Sequence, residues 1–508
     1  MCICLSITLS IAGELGGTPA RVVGRRRLVC RASVPEAAVH EYCDLGTREQ
    51  HVCPSPRHAG ERVVDPIAKP HVLEVSTKRQ LGRRVAPGLR GMRADVFACT
   101  PKRVAGGFTA EIGVAMVSEQ PDSLGSRDMT ATSLSSSPAA AAGPDDAVVR
   151  TLDLFAGAGG LTTGLSLAEG LTIDPVCAVE IEASAAATYT LNHGGSIDDG
   201  HIVGGPVHAG PIEEWLESDP QVEIDLVVGG PPCQGFSTLG KQDADDQRNF
   251  LWHKYAETVQ RSMPRYFVLE NVPAFLKSSQ WDVFQSELES GMLKDYEIEF
   301  DILNAADYGA VQARKRVIVI GHHKDLAAPG LPTKTHEGNH RNLSEILDAV
   351  PSKVDGLGVP DGTVRYHDAE HPGVFTTRQL HFGRSYTDLS LKRFASIPER
   401  GNRFNLPDEL LAPCWRKHKS GSGDVMGRLY PDKPSVTIRT EFFKPEKGRY
   451  LHPKENRVIT HYEAALIQGF PETYQWVGTR EEIARQIGNA VPIQLGQAIG
   501  RQLRAALT

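Results

Sequence analysis

The sequence has no Cys-x-x-Cys pair. Its nine cysteines are odd in number and scattered, and six of them fall before residue 146. That excludes a regular zinc-ligand set and a secreted disulfide framework, and it fits a reducing, cytoplasmic compartment. No run of 18 or more apolar residues occurs, so no membrane span is expected. The opening "MCICLSITLSIAG" is apolar but short, and it has neither a basic flank nor an A-x-A site. Strong net charge is also missing. At −7 over 508 residues the chain is not a basic nucleic-acid coat, so any nucleic-acid contact must be a local patch. What remains is an ordinary globular composition, 40% hydrophobic and 23% charged, enough for a sizeable core.

Four segments follow from composition. Residues 1–146 are arginine-rich in places, lack sustained periodicity and end in the low-complexity linker "TATSLSSSPAAAAGPDD". Disorder is expected there, or a translation start further along at Met92, Met116 or Met129. From 147 to 325 apolar runs alternate with helical patterns: "VVRTLDLF", "PVCAVEI", "EIDLVVGG", "RYFVLENV" and "RKRVIVIGHH" read as strands. Such alternation predicts an α/β fold, a doubly wound and mostly parallel sheet whose ligands sit at the carboxyl ends of the strands. Residues 326–433 lose the alternation. They read as a second, smaller, irregular domain with eleven Lys or Arg against six Asp or Glu between 378 and 433. Residues 434–508 return to regular patterns and complete the first domain. Thr460 with Glu463 predicts a capping box there, and "PIQLGQAIGRQLRAAL" a final amphipathic helix.

Two places carry chemistry. "DLFAGAGGLTTGL" puts Gly157, Gly159 and Gly160 between a strand and a helix, which fits a nucleotide-binding turn or, taken alone, a merely close-packed one. Glu180 ends the next strand, where an acid can take ribose hydroxyls. The glycines do not spell G-x-G-x-x-G, which favours an adenosine ligand without phosphates over a dinucleotide. Ile181 could wall an adenine ring or simply be a core residue. At the second place "GGPPCQGFSTLG" presents Cys233 after a strand, and "FVLENVP" presents Glu270 after the next. A buried carboxylate needs a reason. A thiol, a carboxylate and two arginines, Arg314 and Arg316, near an adenosine site suggest covalent catalysis on a polar ring.

"DLFAGAGGLTTG", "GGPPCQGFS", "DQRNFL", "ENVPAFL", "QARKRVIVIG" and "RQIGNAVP", in that order, resemble the ordered motifs of the cytosine-C5 DNA methyltransferases, over about 150–322 and 434–506. The resemblance implies a class I methyltransferase fold, S-adenosylmethionine as methyl donor and double-stranded DNA as substrate. By the same resemblance Cys233 is the nucleophile that adds to C6 of a flipped-out cytosine, with "QGFSTLGKQDADDQRN" the loop that closes over it. Glu270 acts at N3, a role suited to a carboxyl raised by burial. Asn271 orients the loop, Arg316 holds O2 with Arg314 in support, and Gln312 fixes that segment. Asp153, Phe155, Gly157, Gly159, Gly160, Glu180, Ile181, Pro231, Leu251 and Asn489 match cofactor-site positions. Pro211, in "HAGPIEEW", stands where the family usually has an aspartate for the adenine amino group, which leaves that contact to backbone or water. The slot 326–433 corresponds to the target-recognition domain.

A compact recognition segment of about 110 residues favours a prokaryotic, monomeric modification enzyme with one target sequence and, in a restriction–modification system, a partner endonuclease. Such an enzyme would be cytoplasmic and associated with the nucleoid through DNA. Two other readings compete. A transfer-RNA methyltransferase would tend to carry Pro-Phe-Thr after the Pro-Pro-Cys-Gln, but this chain has Gly235-Phe236-Ser237. A non-enzymatic relative would not need Cys233, Glu270 and Arg316 intact.

Overall fold

The computed structural model describes residues 147–232, 251–417, 420, 421 and 423–507, with five short strands earlier in the chain. Those five belong to a separate unit, Met1–Ser133. Thr100–Val104 pairs antiparallel with Gly107–Glu111, which also pairs with Val29–Cys30, and Ala94–Val96 pairs with Val114–Met116. The expectation of disorder over 1–146 otherwise lies outside the described residues.

The second unit, Leu134–Thr508, is built on a seven-stranded sheet. Its strands are β1 (Ala147–Leu154), β2 (Leu171–Glu180), β3 (Val207–Ala209), β4 (Leu226–Gly229), β5 (Tyr266–Asn271), β6 (Tyr296–Asn304) and β7 (Lys315–His323). They lie in the order β3-β2-β1-β4-β5-β7-β6. The first five are parallel, and β7 runs antiparallel to both β5 and β6. The strand order reverses between β1 and β4, and this is where a doubly wound sheet opens a crevice. Because β7 is reversed, its first residues reach the same edge as the last residues of β5: Asn271 pairs with Val317.

The strands are continuous apolar runs because both faces are covered. Alternate residues go to opposite faces. Leu226, Val228, Tyr266, Val268, Ile318 and Ile320 join one core. Helices α1 (Gly160–Ser166) and α8 (Ile493–Leu507) close that core with Leu165, Leu495, Ile499 and Leu503, and α2 (Ala183–Asn192) follows β2 in the chain. Val227, Phe267, Leu269, Val317 and Val319 join the other. It is closed by α3 (Ile212–Glu217), α4 (Leu251–Ser262) and α5 (Ser279–Ser290), with Trp215, Trp252, Tyr255, Trp281 and Phe284. Helices α1 and α8 touch backbone to backbone: a Cβ on Gly164 would lie 2.8 Å from the Gly496 Cα.

The C-terminal part adds α6 (His461–Gln468) and α7 (Arg480–Asn489). The capping box of Thr460 and Glu463 forms at α6, and an unforeseen one, Thr479 with Glu482, starts α7. The final helix starts one residue after Pro492. "PSVTIRT" contributes only a two-residue strand, Ser435–Val436. Residues 326–433 are less irregular than expected. They hold a hairpin, Thr363–Tyr366 with Ala369–Thr376, in a five-stranded sheet with Gln475–Val477 on one side and His201–Gly204 and Gly195–Asp198 on the other. Among the described residues no helix is long and apolar enough to cross a membrane.

Candidate active site

The glycine turn leaves β1 through three residues of positive φ: Phe155 at 56°, Gly157 at 56° and Gly159 at 81°. Only Gly157 faces open space, with nothing within 4 Å of where a Cβ would stand. The other two glycines serve packing. A Cβ on Gly159 would meet His193 Nε2 at 2.6 Å, and one on Gly160 would meet the Val491 carbonyl at 3.0 Å. Glu180, at the end of β2, is buried. Its Oε2 accepts the Gly157 N–H at 2.8 Å and its Oε1 the Glu182 N–H at 2.8 Å. Burial pushes this carboxyl up, and those backbone donors work against the shift. Ile181 beside it is 66% exposed, so it is not a core residue and offers an apolar wall to a ligand.

Asp153 is placed differently from the expectation of ligand contact. It is buried, and its carboxyl accepts the Thr162 hydroxyl at 2.5 Å, beneath the first turn of α1. The Tyr189 hydroxyl reaches the same threonine at 3.3 Å. Burial pushes Asp153 up to about 7 and pushes His193, against the same turn, down to about 4. Asp153 therefore braces the turn from behind. Pro211 is the residue before α3, with φ −64° and ψ 146°. It has no N–H to offer, and the Gly210 N–H is taken by the Glu180 carbonyl at 3.0 Å.

At the end of β4, two glycines make room. A Cβ on Gly229 would lie 2.4 Å from the Leu154 carbonyl, and one on Gly230 would lie 2.7 Å from Glu270 Oε2. Pro231 follows, buried, and its carbonyl accepts Asn271 Nδ2 at 3.3 Å, while Asn271 Oδ1 takes the Val272 N–H at 2.8 Å. Asn271 thus ties the end of β5 to the turn that leads to the cysteine. Cys233 itself, and the segment "QGFSTLGKQDADDQRN", lie outside the described residues. Leu251, half-buried, opens α4 just after that segment.

Glu270 meets Arg316, whose Nε stands 2.6 Å from the carboxylate. Arg314 does something else. It is 2% exposed, and its Nη1 donates to the carbonyls of Ile438 and Gly488, each at 2.9 Å, while Nη2 reaches the Asn489 carbonyl at 3.2 Å. Its guanidinium is consumed by main chain, so it supports the site from the interior. Asn489, exposed at the end of α7, is held through this contact. Gln312 is also buried. It donates to Gln468 Oε1 and accepts the Ile438 N–H, each at 2.8 Å. Sequence reasoning missed Gln468 and Tyr474, whose hydroxyl caps the Ala158 carbonyl of the glycine turn. A glutamine in the apolar run "YEAALIQGF" was the one available sequence signal, and Gln468 proves fully buried.

An acid at the end of β2, an open glycine turn after β1 and the paired turns after β4 and β5 define an α/β methyltransferase. The C-5 cytosine-specific DNA methylase family model matches residues 149–505, and the chain belongs to that family. It is 31% identical over 388 residues to the Type II methyltransferase M.DdeI of Desulfomicrobium norvegicum, covering 69% of this chain and 88% of that one. It is 27% identical over 366 residues to the Type II methylase M.HgiDII of Herpetosiphon aurantiacus, covering 70% and 95%. A solved structure described as a prophage-encoded DNA modification methyltransferase (E. coli) shares the fold, with a TM-score of 0.51 at 24% identity over 71% of this chain and 99% of that one. The chain is a DNA (cytosine-5-)-methyltransferase.

Proposed function

We propose that this enzyme methylates C5 of a flipped-out cytosine in one duplex sequence through a covalent bond from Cys233 to C6. The observation that carries the reading is the join between the two catalytic turns. Asn271 grips Pro231, two residues before Cys233, and Arg316 grips Glu270, the residue before Asn271.

The donor is S-adenosylmethionine. The open side of Gly157 admits a ligand against backbone, the Glu180 carboxylate suits ribose hydroxyls, and exposed Ile181 suits one face of adenine. Phe155 belongs to the same turn, and Asn489 precedes Ala490 and Val491, which close on Gly160. When bound, this cofactor supplies an electrophilic methyl on a sulfonium, which C5 of the activated ring takes up.

The chain's own residues activate the ring. The target base leaves the stack to enter the crevice. The Cys233 thiolate adds to C6, and the electron pair of the C5–C6 bond moves into the ring. In its protonated form Glu270 donates a hydrogen bond or proton to N3, which takes up that charge and gives the proton back when Cys233 departs, and Arg316 holds O2. Methylated C5 then loses its proton to a base, the double bond re-forms and Cys233 departs as thiolate.

The similarity to Type II enzymes supports a prokaryotic modification role, as a monomer in the cytoplasm and on the nucleoid, with a partner endonuclease where a restriction system is present. Residues 326–433 serve as the target-recognition domain. The deciding experiment is tritiated-methyl transfer to duplex DNA by the wild type and Cys233→Ser. Transfer is expected from the first and not from the second, and comparable transfer by the variant overturns the covalent mechanism.

A further inference from the structure

We propose that the cleft formed by residues 403–416 reads base edges of the target duplex, with Arg416, Asp408 and Glu409 as the hydrogen-bonding readers. This inference rests on the sequence-specific activity proposed above and assigns residues to it. The cleft has a volume of about 600 Å³, and Arg403, Phe404, Asp408, Glu409, Trp415 and Arg416 line it.

Its chemistry is that of base edges rather than of phosphates. A phosphate track needs cations alone, and carboxylates within it would repel the backbone. Base edges present donors and acceptors together, so a reading surface carries both signs. Asp408, Glu409 and Arg416 are exposed, and among the described residues none of the three makes a side-chain hydrogen bond or ion pair, although they line the same cleft. Elsewhere in the molecule exposed opposite charges do pair, as in Arg400 with Asp432. The walls are aromatic. Phe404 is 47% exposed, with the Arg403 guanidinium 4.7 Å above its ring, and Arg393 sits 5.3 Å over Trp415. Arg403 is 7% exposed, and its buried Nε has no partner.

Reading also demands that the cleft be fixed relative to the flipped base. Buried arginines provide this where regular structure is sparse. Arg449 donates to the carbonyls of Arg400, Gly401 and Arg428 at 3.2, 3.2 and 2.7 Å, and Arg428 donates to those of Ile397 and Phe394 at 2.9 and 2.8 Å. From Arg449 the path continues to the catalytic arginine. The Tyr450 hydroxyl donates to the Thr437 carbonyl at 3.0 Å, the Ile438 N–H to Gln312 at 2.8 Å, and Arg314 to the Ile438 carbonyl at 2.9 Å. Arg314 lies two residues before Arg316.

A guanidinium pairs best with guanine O6 and N7, and a carboxylate accepts from the cytosine amino group. The recognised sequence therefore contains a G·C pair besides the one that holds the target cytosine. The test is bisulfite sequencing of a duplex library with randomised flanks after treatment with wild type, Arg416→Ala, Asp408→Asn or Glu409→Gln. All three side chains are exposed, and unchanged thermal melting checks the fold. At least one variant is expected to lose discrimination at a single G·C position by roughly 5- to 150-fold while the other positions keep theirs. Unaltered preference in all three variants overturns the proposal. So does a uniform loss over all sequences with a shallower salt dependence, which marks phosphate contacts. A wild type that transfers methyl to no duplex brings down the sequence-specific activity as well, whereas unaltered variants beside a selective wild type bring down the cleft alone.

Discussion

The Arg316 guanidinium and the Glu270 carboxylate form an ion pair, Nε to Oε1 2.6 Å, across the antiparallel seam of β5 and β7. Their side chains are 14% and 12% exposed. Two groups proposed to meet different edges of one pyrimidine are thus held side by side. Reversing β7 makes this pairing geometrically available.

Glu270→Gln is expected to lower turnover by about 10²- to 10⁴-fold, the usual worth of a positioned proton donor. Cofactor affinity should stay near the wild-type value. Single-turnover methyl transfer together with calorimetric titration of S-adenosylmethionine separates the two. A large loss of affinity with the rate per bound complex intact would refute the assignment.

Glu180→Ala should act in the opposite sense. It removes an acceptor for the Gly157 and Glu182 N–H groups as well as the proposed ribose contact. Hydrogen bonds to a charged group are worth about 1.5–3 kcal/mol, so affinity for the donor should fall roughly 10- to 150-fold. Calorimetry reads this directly, and affinity within twofold of wild type would contradict it.

Asp153 makes stability depend on pH in an unusual direction. Burial raises its carboxyl from 3.8 to about 7, so the folded chain keeps a proton that the unfolded chain has already released. The folded state binds more protons across that window, and Asp153's contribution to stability declines as pH rises from about 4 to about 7. Asp153→Asn keeps an acceptor for Thr162 without the charge. Its stability relative to wild type should climb through that window and level off above it. Urea unfolding at pH 5, 6, 7 and 8 provides the comparison, and a difference independent of pH would refute it.

A chain beginning near residue 140 should retain methyl transfer within a few-fold of the full length. The whole seven-stranded sheet and the family match lie downstream of that point. Loss of soluble, folded protein on this truncation would show that the earlier segment is needed.

Much of the sheet was readable because buried parallel strands are written as plain apolar runs, such as "YFVL" in β5. The short strands at 195–198, 201–204 and 207–209 were not readable. They sit in "GGSIDDGHIVGGPVHAG", half glycine and charge; the first two pair with each other, but His201–Gly204 also needs the distant Thr363–Tyr366, and Val207–Ala209 pairs with β2. Helix α7 was missed although its capping box stood in the sequence, because "RQIGNAVP" read as a motif before it read as a helix. In the site, the residue types were legible and their directions were not. Nothing in "DLFAG" says that Asp153 turns inward beneath α1, or that Arg314 spends its guanidinium on main chain while Arg316, two residues on, meets Glu270. Arg314's outcome depends on segments more than 100 residues away, Ile438 and Gly488, whereas Asp153 turns to Thr162 nearby and Arg316 to a residue of the neighbouring strand.

The glycine turn after β1 leans on residues 474–496, which are made long after it. Tyr474 caps Ala158, Val491 closes on Gly160 and Gly496 abuts Gly164. During synthesis the chain therefore displays its cysteine motif long before it owns a finished pocket for the methyl donor. A chain cut before residue 474 would lack all three of these supports, so that segment acts as a completeness check on the proposed methyl-donor pocket.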